Sequence, residues 1–299
     1  MLVHLAPGDP AQLLAGEAAS PDYVKLIRAE YGLDRPLPEQ LATYLGNLAR
    51  GNLGYSLTFS QPVLDVILGR IPQTLLLVGT AIFISITVGI LLGLASARRP
   101  FSATDAVINS TTLTLYSIPT FWLGEVLILA FALQIRLFPT GGLFDVGVET
   151  NTFDLMANVA WHMVLPVLTL SALFLASYAR LTRAGLFESL RMNYIVQARA
   201  KGVSEKDILN RHALRNALLP VITVAGIQIG YAVGGVVLTE NVFSWPGIGT
   251  LLVLAVSYRD YPLVTGIFLI SAISVAVANL IADMIYGIVD PRIKTEGFS

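Results

Sequence analysis

Apolar runs longer than a soluble core element needs recur five times along the chain. Gln73–Ala97 is 25 residues without Asp, Glu, Lys or Arg, entered through Pro72 and closed by Arg98-Arg99. Ala106–Ile135 is interrupted by one charge, Glu125, and carries Pro119 near its middle. Leu155–Ala179 is charge-free, with His162 and Pro166 inside it. Asn216–Thr239 is charge-free with Pro220 in its first turn, and Tyr261–Ala282 is charge-free, its pattern continuing past Asp283 to Val289. A helix crosses the hydrocarbon core with about 20 apolar residues, because only internal hydrogen bonding satisfies its backbone there. The pattern therefore predicts an all-α polytopic membrane protein with five transmembrane helices. Val242–Tyr258 is also apolar but broken by Pro246, Gly247 and Gly249, too short and too irregular for a span.

Composition agrees. Of 299 residues, 55% are hydrophobic and 13% charged, about half the charged share of soluble proteins. The net charge of −1 leaves no surplus for neutralising phosphates, which argues against nucleic-acid binding. With no cysteine there is no disulfide, thiolate metal site or cysteine nucleophile.

Loop charges set an orientation. Arg98-Arg99 follow the first run, eight Lys or Arg lie between Arg180 and Arg215, and Arg292 and Lys294 follow the last run. The intervening loops are poor in Lys and Arg, so the C-terminus is expected on the cytoplasmic side and residues 1–71 outside. Within that outer segment Ser20-Pro21-Asp22 predicts a capped helix stopped by Gly32. Pro38 opens a second helix, with Leu41, Tyr44, Leu45 and Leu48 at helical spacing and Gly51 at its end. The opening Met-Leu-Val-His-Leu-Ala-Pro-Gly-Asp-Pro lacks a basic n-region and reads as the last turn of a membrane helix that begins upstream.

The cytoplasmic stretch Asn193-Tyr-Ile-Val-Gln-Ala-Arg-Ala-Lys-Gly202 predicts a short helix capped by left-handed Gly202. Ser204 and Asp207 form a capping-box pattern for a second helix, which runs into the membrane at Pro220. Pushing on such a first helix moves the membrane helix behind it; a basic loop held at anionic headgroups is the plainer alternative.

Here the residues carry a resemblance. Ala198-Arg-Ala-Lys-Gly202 with His212, Asn216 and Pro220 resembles the EAA-type coupling segment of binding-protein-dependent ABC importer permeases, more narrowly the dipeptide/oligopeptide/nickel branch. Tyr31-Gly-Leu-Asp-Arg-Pro36, Gly51-Asn-Leu-Gly-Tyr-Ser56, Ser117-Ile-Pro-Thr-Phe-Trp-Leu-Gly124, Phe138-Pro-Thr-Gly-Gly142, Glu240-Asn-Val-Phe-Ser-Trp-Pro-Gly-Ile-Gly249 and Asp290-Pro-Arg292 match the same branch in order. Val196-Gln197-Ala198 stands in place of Glu-Ala-Ala, Glu125 replaces an apolar residue, and the first family helix is almost entirely missing. The resemblance implies a type I-like importer permease fold, with 1–71 holding the remnant of that helix plus an extracytoplasmic helical segment. Residues 72–299 would be the permease domain, with coupling segment 190–216.

It further implies a cell-membrane translocation subunit for a small solute, di- or oligopeptides foremost. The partners would be a related second permease chain, two ATP-binding subunits and an extracytoplasmic binding protein. No G-x-x-x-x-G-K-[ST] loop occurs, so ATP-Mg is expected in the partner subunits, with no cofactor or catalytic residue in this chain. On this reading Ala198, Arg199, Ala200, Lys201 and Gly202 enter a cleft on the ATPase, Arg199 and Lys201 meeting acidic groups.

Gly226, Gly230 and Gly234 recur every four residues, a spacing that lets helices approach closely in lipid. Intramolecular packing, a subunit interface and pore lining all fit. Membrane charges cost roughly 2.5–3.5 kcal/mol each on insertion scales and need a reason. Asp283 suits a structural ion pair or cap near Arg292; Glu125 suits a cationic substrate group or a protonated buried site. His162 suits an interfacial hydrogen bond, and Trp245, Tyr258 and Tyr261 an aromatic belt, with Trp245 near the substrate path. An ion-coupled carrier would instead use Glu125, His162 and Asp283 as a relay. An intramembrane hydrolase lacks H-E-x-x-H, G-x-S-x-G and an aspartate pair.

Overall fold

The computed structural model describes residues 11–12, 20–30, 34–145, 147, 151–232 and 236–289, which fall into two compact units. The opening decapeptide, Gly32, Gly234 and Asp290-Pro-Arg292 lie outside the described residues.

The first unit joins residues up to 70 with residues 251–269. Helix α1 (Pro21–Glu30) starts at Ser20, whose Oγ accepts from Tyr23 N at 3.3 Å. Helix α2 (Leu37–Ala49) has proline in its first turn and is followed by Gly51 at φ +77°. The all-α expectation misses a two-stranded antiparallel hairpin, β1 (Tyr55–Ser56) with β2 (Gln61–Pro62), which pairs Tyr55 with Pro62 and Ser56 with Gln61. Helix α3 (Val63–Leu68) follows. A buried carboxylate pins the hairpin: Asp260 Oδ2 accepts from Ser56 Oγ (2.6 Å) and Thr58 N (3.1 Å). Asp260 Oδ1 accepts from Leu263 N (3.2 Å), so the same side chain caps the helix that starts at Tyr261.

The second unit holds residues 71–250 with 270–299. Its elements in order are α4 (Ile71–Arg98), α5 (Ala103–Ser117) and α6 (Thr120–Leu127), the last passing into π-helical Ile128–Gln134. Then come α7 (Thr152–Leu190), α8 (Asn193–Ala200) and α9 (Glu205–Asp207). Helix α9 runs through π-helical Ile208–Ala213 into α10 (Leu214–Ala217), followed by α11 (Leu219–Ala232) and α12 (Val237–Val242). Helices α13 (Ile248–Ser257) and α14 (Tyr261–Val289) run through both units.

Val63–Arg98, Thr152–Leu190 and Tyr261–Ile281 are each long and apolar enough to cross a membrane. The described residues reach five spans when two bent pairs are counted once each, 103–134 bent by 97° and 205–230 bent by 41°. The second apolar run is thus not the continuous helix its composition suggests. Pro119 disfavours helical backbone at the residue before it, and Ile118 is extended (φ −77°, ψ 126°), so α5 stops there. Pro166 sits inside α7 without ending it. Within the fourth run the described residues form α11 up to Ala232 and α12 from Val237.

Helices α4 and α7 form the main packed pair of this unit. Ala81, Ser85, Gly89, Gly93 and Ala97 recur at four-residue spacing on α4 and are all buried. A Cβ on Gly89 would stand 2.7 Å from Tyr178 Cβ, and one on Gly93 2.6 Å from Thr182 Cβ. Backbones this close are how membrane helices gain packing without a hydrophobic driving force between them. Gly230 does the same on α11, where a Cβ would collide with Ala278 of α14. Gly226, one turn earlier, is half-buried.

Candidate coupling site

Helix α8 has two faces. Ile195 and Ala198 are buried and belong to a cluster with Ala97, Leu186, Ile208, Ala213 and Ala217. Met192, Val196 and Ala200, four residues apart, form an exposed apolar stripe, with Met192 45% and Val196 58% accessible. Asn193, Gln197, Arg199 and Lys201 are exposed around it. Large apolar groups exposed in a row in this way call for a covering surface.

The turn after α8 is a Schellman motif. Gly202 N donates to Arg199 O (3.0 Å) and Val203 N to Ala198 O (3.2 Å), with Gly202 at φ +78°. Ser204 Oγ then accepts from Asp207 N (3.2 Å) and donates to Asp207 Oδ2 (2.7 Å), fixing the start of α9. Arg199 grips Glu205 across the turn, Nε to Oε1 at 2.8 Å and Nη2 to Oε2 at 3.2 Å. Asn216 Nδ2 donates to Tyr194 OH at 2.7 Å, tying α8 to α10. His212 and Pro220 are exposed, Pro220 in the first turn of α11.

The structure brings the sequence-predicted residues Ala198–Gly202 together but sorts them differently. Ala198 points into the chain's own core, so its small size serves packing against Ile208 and Ala213 and not entry into a foreign cleft. Arg199 is engaged by Glu205 within the chain. The outward candidates are Met192, Val196, Gln197, Ala200, Lys201 and Gly202; Met192 was not singled out from sequence, and Val196 and Gln197 only as a departure from the family's Glu-Ala-Ala.

Two further anchors were also missed. Asp105, in the first turn of α5, accepts from Arg183 Nε (2.9 Å) and Nη2 (2.8 Å), Phe101 N (2.9 Å), Asn109 Nδ2 (2.6 Å) and Ser96 Oγ. The ends of α4 and α5 are thereby fastened to the stretch of α7 that leads to α8. Tyr178 OH bonds Gln228, joining α7 to α11.

Glu240 is completely buried at the other anchor. Its Oε1 accepts from Thr74 Oγ1 (2.7 Å), and its Oε2 from Gly249 N (2.6 Å) and Thr250 N (3.1 Å) at the start of α13. Thr74 Oγ1 in turn accepts from Ile248 N at 2.8 Å. Burial pushes the Glu240 carboxyl above its ordinary range, and the Thr74 and backbone hydrogen bonds oppose that shift. Between α12 and α13, Ser244 at φ +48° lets both Phe243 and Trp245 turn inward. Trp245 is therefore no belt residue: it is fully buried in the main core cluster, its Nε1 donating to Gln73 O at 3.0 Å. A Cβ on Gly247 would run into the Glu240 carboxylate, and Gly142 N donates to Phe243 O at 2.8 Å.

Glu125 is exposed on α6. His162 is buried in α7, Nδ1 donating to Asn158 O (3.0 Å) and Nε2 3.5 Å from Asp145 Oδ1. Asp283 lies within α14. No metal-binding cluster occurs among the described residues.

Long apolar spans and small-residue contacts between them make this a multi-pass membrane protein. The chain belongs to the family described as the binding-protein-dependent transport system inner membrane component, which matches residues 89–295, with the family's N-terminal component matching residues 1–78. It is 39% identical over 295 residues to the oligopeptide transport system permease protein AppB of Bacillus subtilis (strain 168), covering 98% of this chain and 92% of that one. It is likewise 39% identical over 308 residues, with the same coverage, to the di/tripeptide transport system permease protein DppB of Pseudomonas aeruginosa (strain UCBPP-PA14). The fold resembles the MetNI methionine ABC transporter in its inward-facing form, with TM-score 0.58 and 18% identity over 76% of this chain and 97% of that one. The protein is a permease subunit of an ABC importer, in a cell membrane. The ion-coupled alternative finds no support, since the relatives are importer permeases and His162 is engaged locally.

Proposed function

We propose that this chain carries di- or oligopeptides across the membrane, and that ATP-binding subunits drive it through the exposed face of α8. The solute class rests on the peptide permeases that it resembles over nearly its whole length. The observation that carries the docking site is the two-sidedness of α8, with an apolar stripe at Met192, Val196 and Ala200 outside and Ile195 and Ala198 locked inside. Tyr194–Asn216 and the shared cluster make α8 and α10 one rigid lever, so force applied at α8 reaches α11 through α10. Lys201 meets acidic groups on the ATPase, and Gly202 keeps the turn open where no side chain lies within 4 Å. On this reading the second permease is a related, distinct chain and an extracytoplasmic protein delivers the solute. ATP-Mg is bound by the ATP-binding subunits and not by this one. The arm and the C-terminus lie on the cytoplasmic side.

The test is Gly202→Asp in the reconstituted importer. A bulky charge at the left-handed turn is expected to abolish ATP-dependent dipeptide uptake while the chain still inserts in the membrane. Uptake at the native rate would remove the docking site from the account.

A further inference from the structure

The bent pair 103–134 counts as a membrane span only when α5 and α6 are taken together, which puts its break inside the membrane. Backbone that leaves the helix at that depth is tolerated where protein buries it or where it lines a water-filled cavity. This chain does not bury it: Ser117 and Pro119 are exposed and Ile118 is half-buried. An open cleft of about 610 Å³ lies against the break, with Leu113, Thr114, Ser117, Phe121 and Trp122 in its lining. That is room for a small solute, since ligand sites run from roughly 300 to 1,000 Å³. Glu125 stands above the cleft on α6, three residues after Trp122 and four after Phe121, the spacings that bring helical side chains together. All three are exposed, Phe121 being 48% and Trp122 52% accessible.

The Glu125 side chain has no hydrogen bond or ion pair among the described residues. The span ends nine residues further on at Gln134, roughly 10 Å along the helix, too far for a short side chain to reach the headgroups. A carboxylate facing lipid at that depth is costly. Open backbone and an unpaired acid, two independent features, therefore fit water better than lipid at this place. A carboxylate takes charge-assisted hydrogen bonds from an ammonium group, and the faces of Phe121 and Trp122 attract the same cation. Every peptide with an unblocked amino end carries that group. We propose that Glu125, with Phe121 and Trp122, is a station for the amino-terminal ammonium of the peptide in the translocation path. This rests on the peptide-import reading above and names the part of the solute that the permease itself holds.

The experiment uses the complete importer in proteoliposomes with its binding protein, the cysteines of the partner subunits being replaced; this chain has none. Glu125→Cys changes an exposed position and disturbs no packing. It is expected to cut ATP-dependent dipeptide uptake about tenfold or more, the effect of losing one hydrogen bond to a charged group. Carboxyethyl methanethiosulfonate puts a carboxylate back on that sulfur and is expected to restore most of the uptake. Aminoethyl methanethiosulfonate puts an ammonium there and is expected to restore none. Dipeptide-loaded binding protein with ATP is expected to slow the labelling, and unloaded binding protein with ATP is not. Native uptake by the unlabelled variant, no reaction with either reagent, no rescue by the carboxylate, equal rescue by both, or labelling indifferent to dipeptide overturns the station. Loss of the second permease chain from the purified variant assigns Glu125 to a subunit contact and overturns it as well. All of these leave peptide import standing while the native chain takes up dipeptide. A native importer that hydrolyses ATP but takes up no dipeptide overturns the peptide reading, and the station with it.

Discussion

Replacing Glu240 by alanine removes the acceptor for three buried donors at once: Thr74 Oγ1, Gly249 N and Thr250 N. Each buried donor left without a partner costs about 1–3 kcal/mol, so Glu240→Ala should destabilise the protein by roughly 3 kcal/mol or more. Glu240→Gln should cost far less. Its carbonyl can still accept from Gly249 and Thr250, and its amide can donate to Thr74 Oγ1, whose own hydrogen then reorients. The assay is graded heating of detergent-solubilised importer, scored as folded protein remaining, across pH. The sign of the pH effect follows from burial. A carboxyl whose folded-state pKa lies above its unfolded value contributes stability that is fully present below the unfolded value and is lost as pH rises through the folded one. Native protein should therefore lose heat resistance as pH rises above the ordinary carboxylate range, a component that Glu240→Gln lacks. Native heat resistance in Glu240→Ala, or the same pH dependence in Glu240→Gln, would refute the reasoning.

Other perturbations follow from the same contacts. Gly93→Ala places a methyl 2.6 Å from Thr182 Cβ and 2.7 Å from Ala179 O, so overpacking should cost about 1–3 kcal/mol, read as a lower unfolding midpoint in detergent. Asp105→Asn strips Arg183 of its ionised partner and should lower the yield of folded protein, and adding Arg183→Gln should restore part of it. Val196→Asp should weaken co-purification with the ATP-binding subunits while Ile195, on the inner face, keeps α8 folded.

The spans and caps were legible because they follow from local rules. Charge-free runs gave α4, α7 and α14, and Ser20, Ser204 and Gly202 marked turns that depend only on neighbouring residues. Register inside the coupling arm was not legible, since Tyr194 to Lys201 reads as helix whichever face turns inward. Only packing against Leu186 and Ala217 assigns Ala198 to the core. The buried carboxylates escaped for a related reason. Asp105, Glu240 and Asp260 sit at the ends of apolar runs, where an acid reads as an interfacial charge. Each takes at least one donor from far away in sequence: Arg183 is 78 residues from Asp105, Thr74 166 from Glu240 and Ser56 204 from Asp260. The Gly89–Gly93 contact did leave a signal, small residues every fourth position from Ala81 to Ala97, as regular as the Gly226–Gly230–Gly234 series. Pro119 was read as a mark within a span and not as its end, although the restriction it places on Ile118 was available from sequence alone.

The most direct measurement of the central claim is disulfide capture at α8. Cysteine at Val196 or Ala200, unique in this chain, is paired with cysteines along the surface of the ATP-binding subunit in the purified importer, and a water-soluble maleimide probes the same positions. The account predicts a crosslink from these positions and their shielding from maleimide once the ATP-binding subunits are bound. Equal maleimide reactivity with and without those subunits, and no crosslink to any of them, would contradict it.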